Sequence, residues 1–336
     1  MKNFTITSKS AIVGIFLFTT LFCIACSQSA QQHIPFIPES ETAPQSESPQ
    51  APSSDLVATL SDQVGVERIT YHIGPINLTS KEKSYEQAEA FSQMNFKLDH
   101  PMWVLGFEPK VVTGTGEELP AQLLKRVSLI NKHEDNILCK GKNEGNTFAV
   151  ANSLLTKVNF PKGYGYPLLP SDPIEVNAHM ENNLDQDFYD VYVEITLVTK
   201  PLSEFGTVKD LTPLFLNFDP CNDGTLDITP ESLDEKTASY ELPLKAKLVF
   251  AHAVIDDYGV SLELLKNQSN DAVWEADADL DADSHIINIE NNPFEDPQGT
   301  NFKSGDEITL GVTYNNSSDQ WLYDSNAAAM LYFSVE

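Results

Sequence analysis

"AQLLKRVSLIN" (residues 121–131) decides the fold class. Leu123, Leu124, Val127, Leu129 and Ile130 give it the apolar weight of a buried or half-buried β-strand. Two cations, Lys125 and Arg126, stand side by side in its middle. Neighbours on a strand point to opposite faces. One of the two is therefore expected to point at the core, where an unpaired charge is costly.

Strand signals continue on both sides of this stretch. Before it runs "WVLGFEPKVV" (103–112); after it come "TFAVANSL" (147–154), "PIEVNAHM" (173–180) and "YDVYVEITLVT" (189–199). A second series follows: "PLFLNF" (213–218), "AKLVFAHAVI" (246–255), "VSLELL" (260–265), "HIINIE" (285–290), "EITLGVTY" (307–314) and "AMLYFSV" (329–335). Gly, Pro, Asn and Asp clusters separate the runs, the pattern of short antiparallel strands in β-sandwiches. Only "SKEKSYEQAEAF" (80–91) has the composition of a helix, and "GYGY" (163–166) reads as a turn. A junction near 200–212 divides the strands. The expected architecture is all-β: two tandem antiparallel β-sandwich (jelly-roll-like) domains, at 61–203 and 204–336.

The N-terminus reads as a secretory signal over 1–25. Lys2 and Lys9 precede the apolar run "AIVGIFLFTTLFCIA" (11–25), which is short for a membrane span. It ends in "CIAC" (23–26), which resembles a bacterial lipobox with Cys26 as the lipidated residue, although Cys23 stands where Leu is usual. The Ser-, Gln- and Pro-rich stretch that follows contains no Lys or Arg over 27–55 and reads as a disordered tether covering 26–60. This predicts a lipoprotein of the bacterial cell envelope, anchored at the outer membrane or cell surface and facing the periplasm or exterior. Ser27 is compatible with outer-membrane delivery.

The net charge of −28 argues against nucleic-acid binding and against anionic lipid surfaces, and suits an acidic extracytoplasmic domain. Cys139 and Cys221 remain once the two N-terminal cysteines are set aside. An oxidising compartment leaves a disulfide between them open. Because they fall in different expected domains, two buried free thiols are the favoured reading.

The run "WVLGFEPKVVTGTGEELPAQLLKRVSLIN" (103–131) resembles the first domain of the copper type II, ascorbate-dependent monooxygenases, the peptidylglycine hydroxylating monooxygenase-like family. There a Gly-containing turn precedes a Leu-Leu-His-His-Val strand. Colinear likenesses follow in "FPKGYGYPLLPSDPIEVNAHMENNLDQDFYDVYVEITL", "LTPLFLNFDPC" (211–221), "AHAVIDDYGVSLEL" (251–264), "SGDEITLGVTYNN" (304–316) and "NAAAMLYFSV" (326–335), so the resemblance covers roughly 95–335. It implies one copper site per domain: three histidines in the first, two histidines and a methionine in the second. Imidazole suits copper in both oxidation states, and thioether favours Cu(I).

Matched residue by residue, the ligand set is largely replaced. The paired histidines fall on Lys125 and Arg126, cationic donors that cannot ligate a metal. The third falls near His179, with Glu181 at the ungapped position. In the second domain the histidine positions fall on Val254 and Asp256. His252 lies two residues early, and Met330 is the candidate methionine. Remnant metal positions are therefore His179, His252, Asp256 and Met330, and one of Lys125 and Arg126 is expected to pair with an acid, Glu181 first.

Four other features read as ordinary structure by default. His133 is a solvated loop histidine. "DPCNDGTLDITPE" (219–231) lacks the acidic residue that closes a calcium loop and reads as an Asx-rich turn. In "EADADLDADSH" (275–285), Asp277, Asp279, Asp281 and Asp283 read as one solvated strand face. Tyr164, Tyr166, Trp274, Trp321 and Tyr323 pack in the core by default, with a carbohydrate- or peptide-binding surface as the alternative. The functional expectation is a membrane-anchored binding or structural module for an unknown protein or small molecule, without a catalytic residue or cofactor. The alternative is a copper-dependent monooxygenase with an altered ligand set, and a third reading is a divalent-cation-binding surface on the Asp-rich loops.

Overall fold

The computed structural model describes residues 57–60 and 65–335, apart from Glu82, Asn143, 204–207, Asp223, Gln268 and Asn270. The expected signal peptide, Cys26 and nearly all of the tether lie outside the described residues. No described helix is long and apolar enough to cross a membrane.

The chain up to residue 210 forms β1 (Val57–Leu60), β2 (Glu67–Leu78), α1 (Tyr85–Ala88), β3 (Glu89–Phe96), β4 (Met102–Thr113), β5 (Leu124–Asn131) and β6 (Asn146–Ala151). It continues through β7 (Val158–Asn159), β8 (Tyr164–Leu168), β9 (Ile174–Glu181), β10 (Phe188–Pro201) and β11 (Lys209–Asp210). One sheet has the order β1-β2-β10-β4-β8-β11, with β7 on β4; the facing sheet has the order β3-β9-β5-β6. Their inner faces meet in one core. Ile69, Phe107 and Ile195 supply it from the first sheet, and Leu124, Val127, Leu129 and Val176 from the second.

From residue 212 the chain forms β12 (Thr212–Leu216), β13 (Leu226–Ile228), β14 (Ser232–Glu241), β15 (Ala246–Ile255), β16 (Gly259–Lys266) and β17 (Ala272–Leu280). The last strands are β18 (Ile286–Ile289), β19 (Phe294–Phe302), β20 (Glu307–Asn316), β21 (Leu322–Ser325) and β22 (Ala327–Val335). Sheet β12-β22-β15-β19 packs on sheet β14-β20-β16-β17-β18 around Leu216, Leu248, Trp274, Leu310 and Phe333; β13 pairs β21 separately. The fold is all-β, built of sheets in sandwiches whose strand pairs are antiparallel apart from the short β8–β11 pair.

Strand β15 is buried on both faces, and this joins the two halves. Leu248, Ala251, Ala253 and Ile255 face the second core. Phe250 and Val254 face the first, together with Met330 and Tyr332 of β22. A register shift between Leu248 and Phe250 places Val249 and Phe250 on the same side. Burying each of these large side chains contributes roughly 1.5–3 kcal/mol. Hydrogen bonds cross the seam within this layer: Tyr332 Oη donates to the Phe148 carbonyl (3.0 Å) and His252 Nε2 to the Val150 carbonyl (2.9 Å).

Several local expectations are corrected. Only Tyr85–Ala88 is helical within 80–91; from Glu89 the chain is strand β3, paired along its whole length with β9. "GYGY" runs into strand β8, with the turn at Gly163, whose φ is +89°. Asp277 and Asp279 are exposed on β17 as expected, but the strand ends at Leu280. Asp281 instead folds back in a turn, its Oδ1 accepting the backbone N–H groups of Asp283 and His285. Cys139 and Cys221 are not free thiols: they form a disulfide with Cα atoms 5.3 Å apart. Two loops distant in sequence meet there at the edge of the seam.

Candidate functional site

The site begins with the irregularity in β5. Leu124 pairs with Met180 and Arg126 with His179, so β5 advances two residues while β9 advances one. Lys125 is the extra residue of a β-bulge. The bulge cancels the alternation expected of neighbours. Leu124 and Val127 are fully buried, whereas Lys125 and Arg126 both lie on the outer face of the sheet. Neither cation points into the core.

That outer face is the floor of a cleft of about 1010 Å³. Strands β3, β9 and β5 contribute Glu89, Phe91, Gln93, Asn177, His179, Lys125 and Arg126. The opposite wall comes from the second sandwich: Phe215, Asn217, Asn222, Tyr323, Asp324 and Asn326. The disulfide closes one end, because Cys139 and the residues flanking Cys221 line the cleft. Lys142 reinforces that end, donating to the Cys221 carbonyl (2.5 Å) and to Asn222 Oδ1 (3.2 Å). Gly145, φ +87°, is needed where the loop turns into β6, since a Cβ there would meet Ile130 at 2.7 Å and the Asn131 carbonyl at 2.9 Å.

Charges at the other end form a chain across the two halves. Lys125 Nζ lies 3.3 Å from Glu181 Oε2, the partner expected from sequence, and Lys81 Nζ lies 3.0 Å from Glu181 Oε1. Burial works against the Lys125 charge, but Asp256, Glu181 and Glu89 outweigh it and raise its pKa. Burial would likewise raise Glu181; Lys125 and Lys81 prevail and hold its carboxyl below the ordinary value. Arg126 Nη1 donates to Asn326 Oδ1 (3.1 Å). The backbone N–H of Asn326 donates to Asp256 Oδ2 (3.0 Å), which fixes Asp256 just past the end of β15.

His179 sits between these cations and an acid. Its ring stacks on Phe91 with centroids 4.0 Å apart, and Nε2 is hydrogen-bonded to Glu89. Burial lowers its pKa, the bond to Glu89 opposes that, and Lys125 and Arg126 add to the lowering.

His252 and Met330 occupy a different environment. They are cross-strand partners on β15 and β22, both fully buried in the seam. His252 Nε2 donates to Val150, while Nδ1 has no hydrogen-bond partner. Burial pushes its pKa down to about 4, so the imidazole is neutral at pH 7. Val254 packs in the same apolar layer.

These donors do not compose the copper sites that the resemblance implies. The floor presents the Lys125 ammonium and the Arg126 guanidinium, and neither group has a lone pair to donate. In the seam one imidazole nitrogen and one thioether lie together, while Asp256 is engaged by Asn326. Among the described residues no cluster of three His, Cys, Asp or Glu side chains is placed to hold a metal ion.

Sequence reasoning missed part of the site. Glu89 and Phe91 lay inside the expected helix. His133 is exposed in a turn, its Nδ1 3.3 Å from Asp172 Oδ1. Asp219 Oδ1 accepts the Cys221 N–H, as befits an Asx turn. Of the aromatic residues, Tyr164, Tyr166 and Trp274 are buried, whereas Trp321 and Tyr323 are exposed.

No family model matches the chain, and no curated protein does. Among solved structures it is similar to PNGF-II, in a C2 crystal form, at 9% identity and a TM-score of 0.36. That alignment covers 85% of this chain and 62% of the PNGF-II chain. Vicilin from Corylus avellana (hazelnut) aligns at 7% identity and a TM-score of 0.14, over 84% of this chain and 82% of that one. Likenesses this distant carry no argument about the site.

Proposed function

We propose that this protein is a lipid-anchored binding module of the bacterial cell envelope, carried on a copper-monooxygenase-like scaffold whose copper ligands have been exchanged. Its ligand, a small molecule or a segment of a partner protein, occupies the cleft between the sandwiches. One observation supports this most: Lys125 and Arg126, which the sequence resemblance aligns with paired histidines, face a cleft of about 1010 Å³. Its size and its convergent polar groups suit a ligand site.

A second reading, a copper-dependent monooxygenase with an altered ligand set around His179, His252, Asp256 and Met330, draws on one fact. His252 Nδ1 is unpartnered and Met330 is its cross-strand neighbour. One experiment separates the two. The full chain, purified in detergent, is loaded with copper, freed of excess, and assayed for bound metal and for ascorbate-dependent oxygen uptake. Retained copper with turnover would sink the binding-module reading; no retained copper removes the enzyme reading. The anchor is tested separately: Cys26→Ser should abolish lipid labelling and release the protein from the membrane fraction.

A further inference from the structure

Two stacked aromatic pairs present rings to this cleft, Phe91 with His179 on the floor and Tyr323, backed by Trp321, on the wall. Phe91 is 73% exposed, yet its ring is held flat on His179. Tyr323, on the opposite wall, is 67% exposed and stacks on Trp321, 47% exposed, with centroids 6.0 Å apart and planes within 15°. A single exposed aromatic residue needs no explanation. Rings already held in place lose less conformational freedom when a ligand binds. They offer flat apolar faces, and Gln93 and Asn177 on the floor add amide groups that can both donate and accept. Flat apolar faces beside amides match a sugar ring, which has C–H groups on one face and hydroxyls around its rim.

Arg126 narrows the class. Acids outnumber bases in this chain by 49 to 21, yet among the described residues Arg126 has no carboxylate at ion-pair distance. Asn326 takes one guanidinium nitrogen and steadies the group. The remaining N–H donors suit bidentate capture of a carboxylate. Glu89, Asp135, Glu144 and Asp324 also line the cleft, which disfavours a densely charged polyanion. A ligand with an isolated carboxylate among neutral rings satisfies both observations.

We propose that the cleft binds an acidic oligosaccharide. One sugar ring lies against Phe91, its carboxylate is held by Arg126, and neighbouring neutral rings extend toward Tyr323. The proposal rests on the binding-module reading and gives its ligand a chemical class.

The test uses the full chain in detergent on an array of immobilised neutral and acidic glycans. Calorimetry then compares the best acidic glycan with the same glycan after its carboxyl groups are reduced to alcohols. The expected result is retention of uronate- or sialate-bearing glycans and at least tenfold weaker binding after reduction. Arg126→Gln should remove that difference, and Phe91→Ala should weaken both forms, with melting temperatures showing that the variants remain folded. Retention of no glycan, equal binding of the two forms, or a preference that survives Arg126→Gln would each overturn the proposal. Binding of a neutral glycan or a peptide that is lost in Phe91→Ala would overturn the acidic-sugar proposal and leave the binding module standing. Copper turnover would remove the module itself.

Discussion

The imidazole of His252 donates a hydrogen bond to the carbonyl of Val150 across the seam, 2.9 Å away, and its other nitrogen has no partner. The residue is a proton-sensitive joint between two sandwiches. Burial lowers its pKa from 6.5 to about 4, against the weaker opposing effect of the bond to Val150. Below pH 6.5 the unfolded chain binds a proton that the folded chain refuses, so stability falls as pH falls. The contribution is complete above about pH 6.5 and is lost on the way down to about pH 4, amounting to roughly 3 kcal/mol. Denaturant titrations at pH 7, 5.5 and 4 on the wild type and His252→Leu should show a shallower pH dependence in the variant. Parallel curves would mean that His252 does not carry the effect.

Lys125 and Glu181 form the middle of the charge chain beneath the cleft. Glu181, with its pKa held low, stabilises the fold above its unfolded value near pH 4.5, and this is lost as pH falls through the folded value. Lys125, with its pKa raised, stabilises below its unfolded value near 10.5, and this is lost as pH rises through the folded value. A double-mutant cycle with Lys125→Met and Glu181→Gln at pH 7 should give a coupling of about 1 kcal/mol, because both groups are partly exposed. The coupling should shrink in 1 M salt and fade as pH falls through the folded pKa of Glu181. A coupling indifferent to salt and pH would show that the side chains interact by packing rather than charge.

The Cys139–Cys221 bond closes 82 residues of chain and joins the two loops at one end of the cleft. Thiol titration of the denatured, unreduced protein should find neither cysteine free. Replacing both by serine should lower stability by up to about 4.5 kcal/mol, the loop-entropy value for a ring of this size. The cleft floor lies on β3, β9 and β5, away from those loops, so the Lys125–Glu181 coupling should survive in the serine variant. Its loss would indicate that the disulfide, rather than the sheet, positions the floor.

The strands with strong apolar runs were legible because each places one face, or both, in a core: "AKLVFAHAVI" has hydrophobic residues on both sides, and β15 is buried on both sides. "SLDEKTASYE" (232–241) gave no such signal, since β14 alternates between half-buried and exposed residues and takes its order from pairing with β20. "EAFSQMNF" was hidden by helix-favouring neighbours; eight paired positions on β9 outweigh that local preference. The bulge did leave a trace. Leu124 and Val127 are three residues apart and Val127 and Leu129 two, a slip in the period that marks one extra residue. The disulfide left none, because the assignment of its cysteines to separate domains concealed that the second sandwich folds back onto the loops of the first.

The bulge also means that the parity of strand β5 is set by one residue. Removing Lys125 would bring Leu124 and Arg126 into consecutive register against Met180 and His179, leaving every other side chain of the strand on the face it now occupies. Adding a residue beside it would instead slide Val127 and Leu129 out of register with Ala178 and Val176. The strand thus tolerates a subtraction at this position and not an addition, so the charge on the cleft floor can be rewritten there while the hydrophobic interior stays as it is.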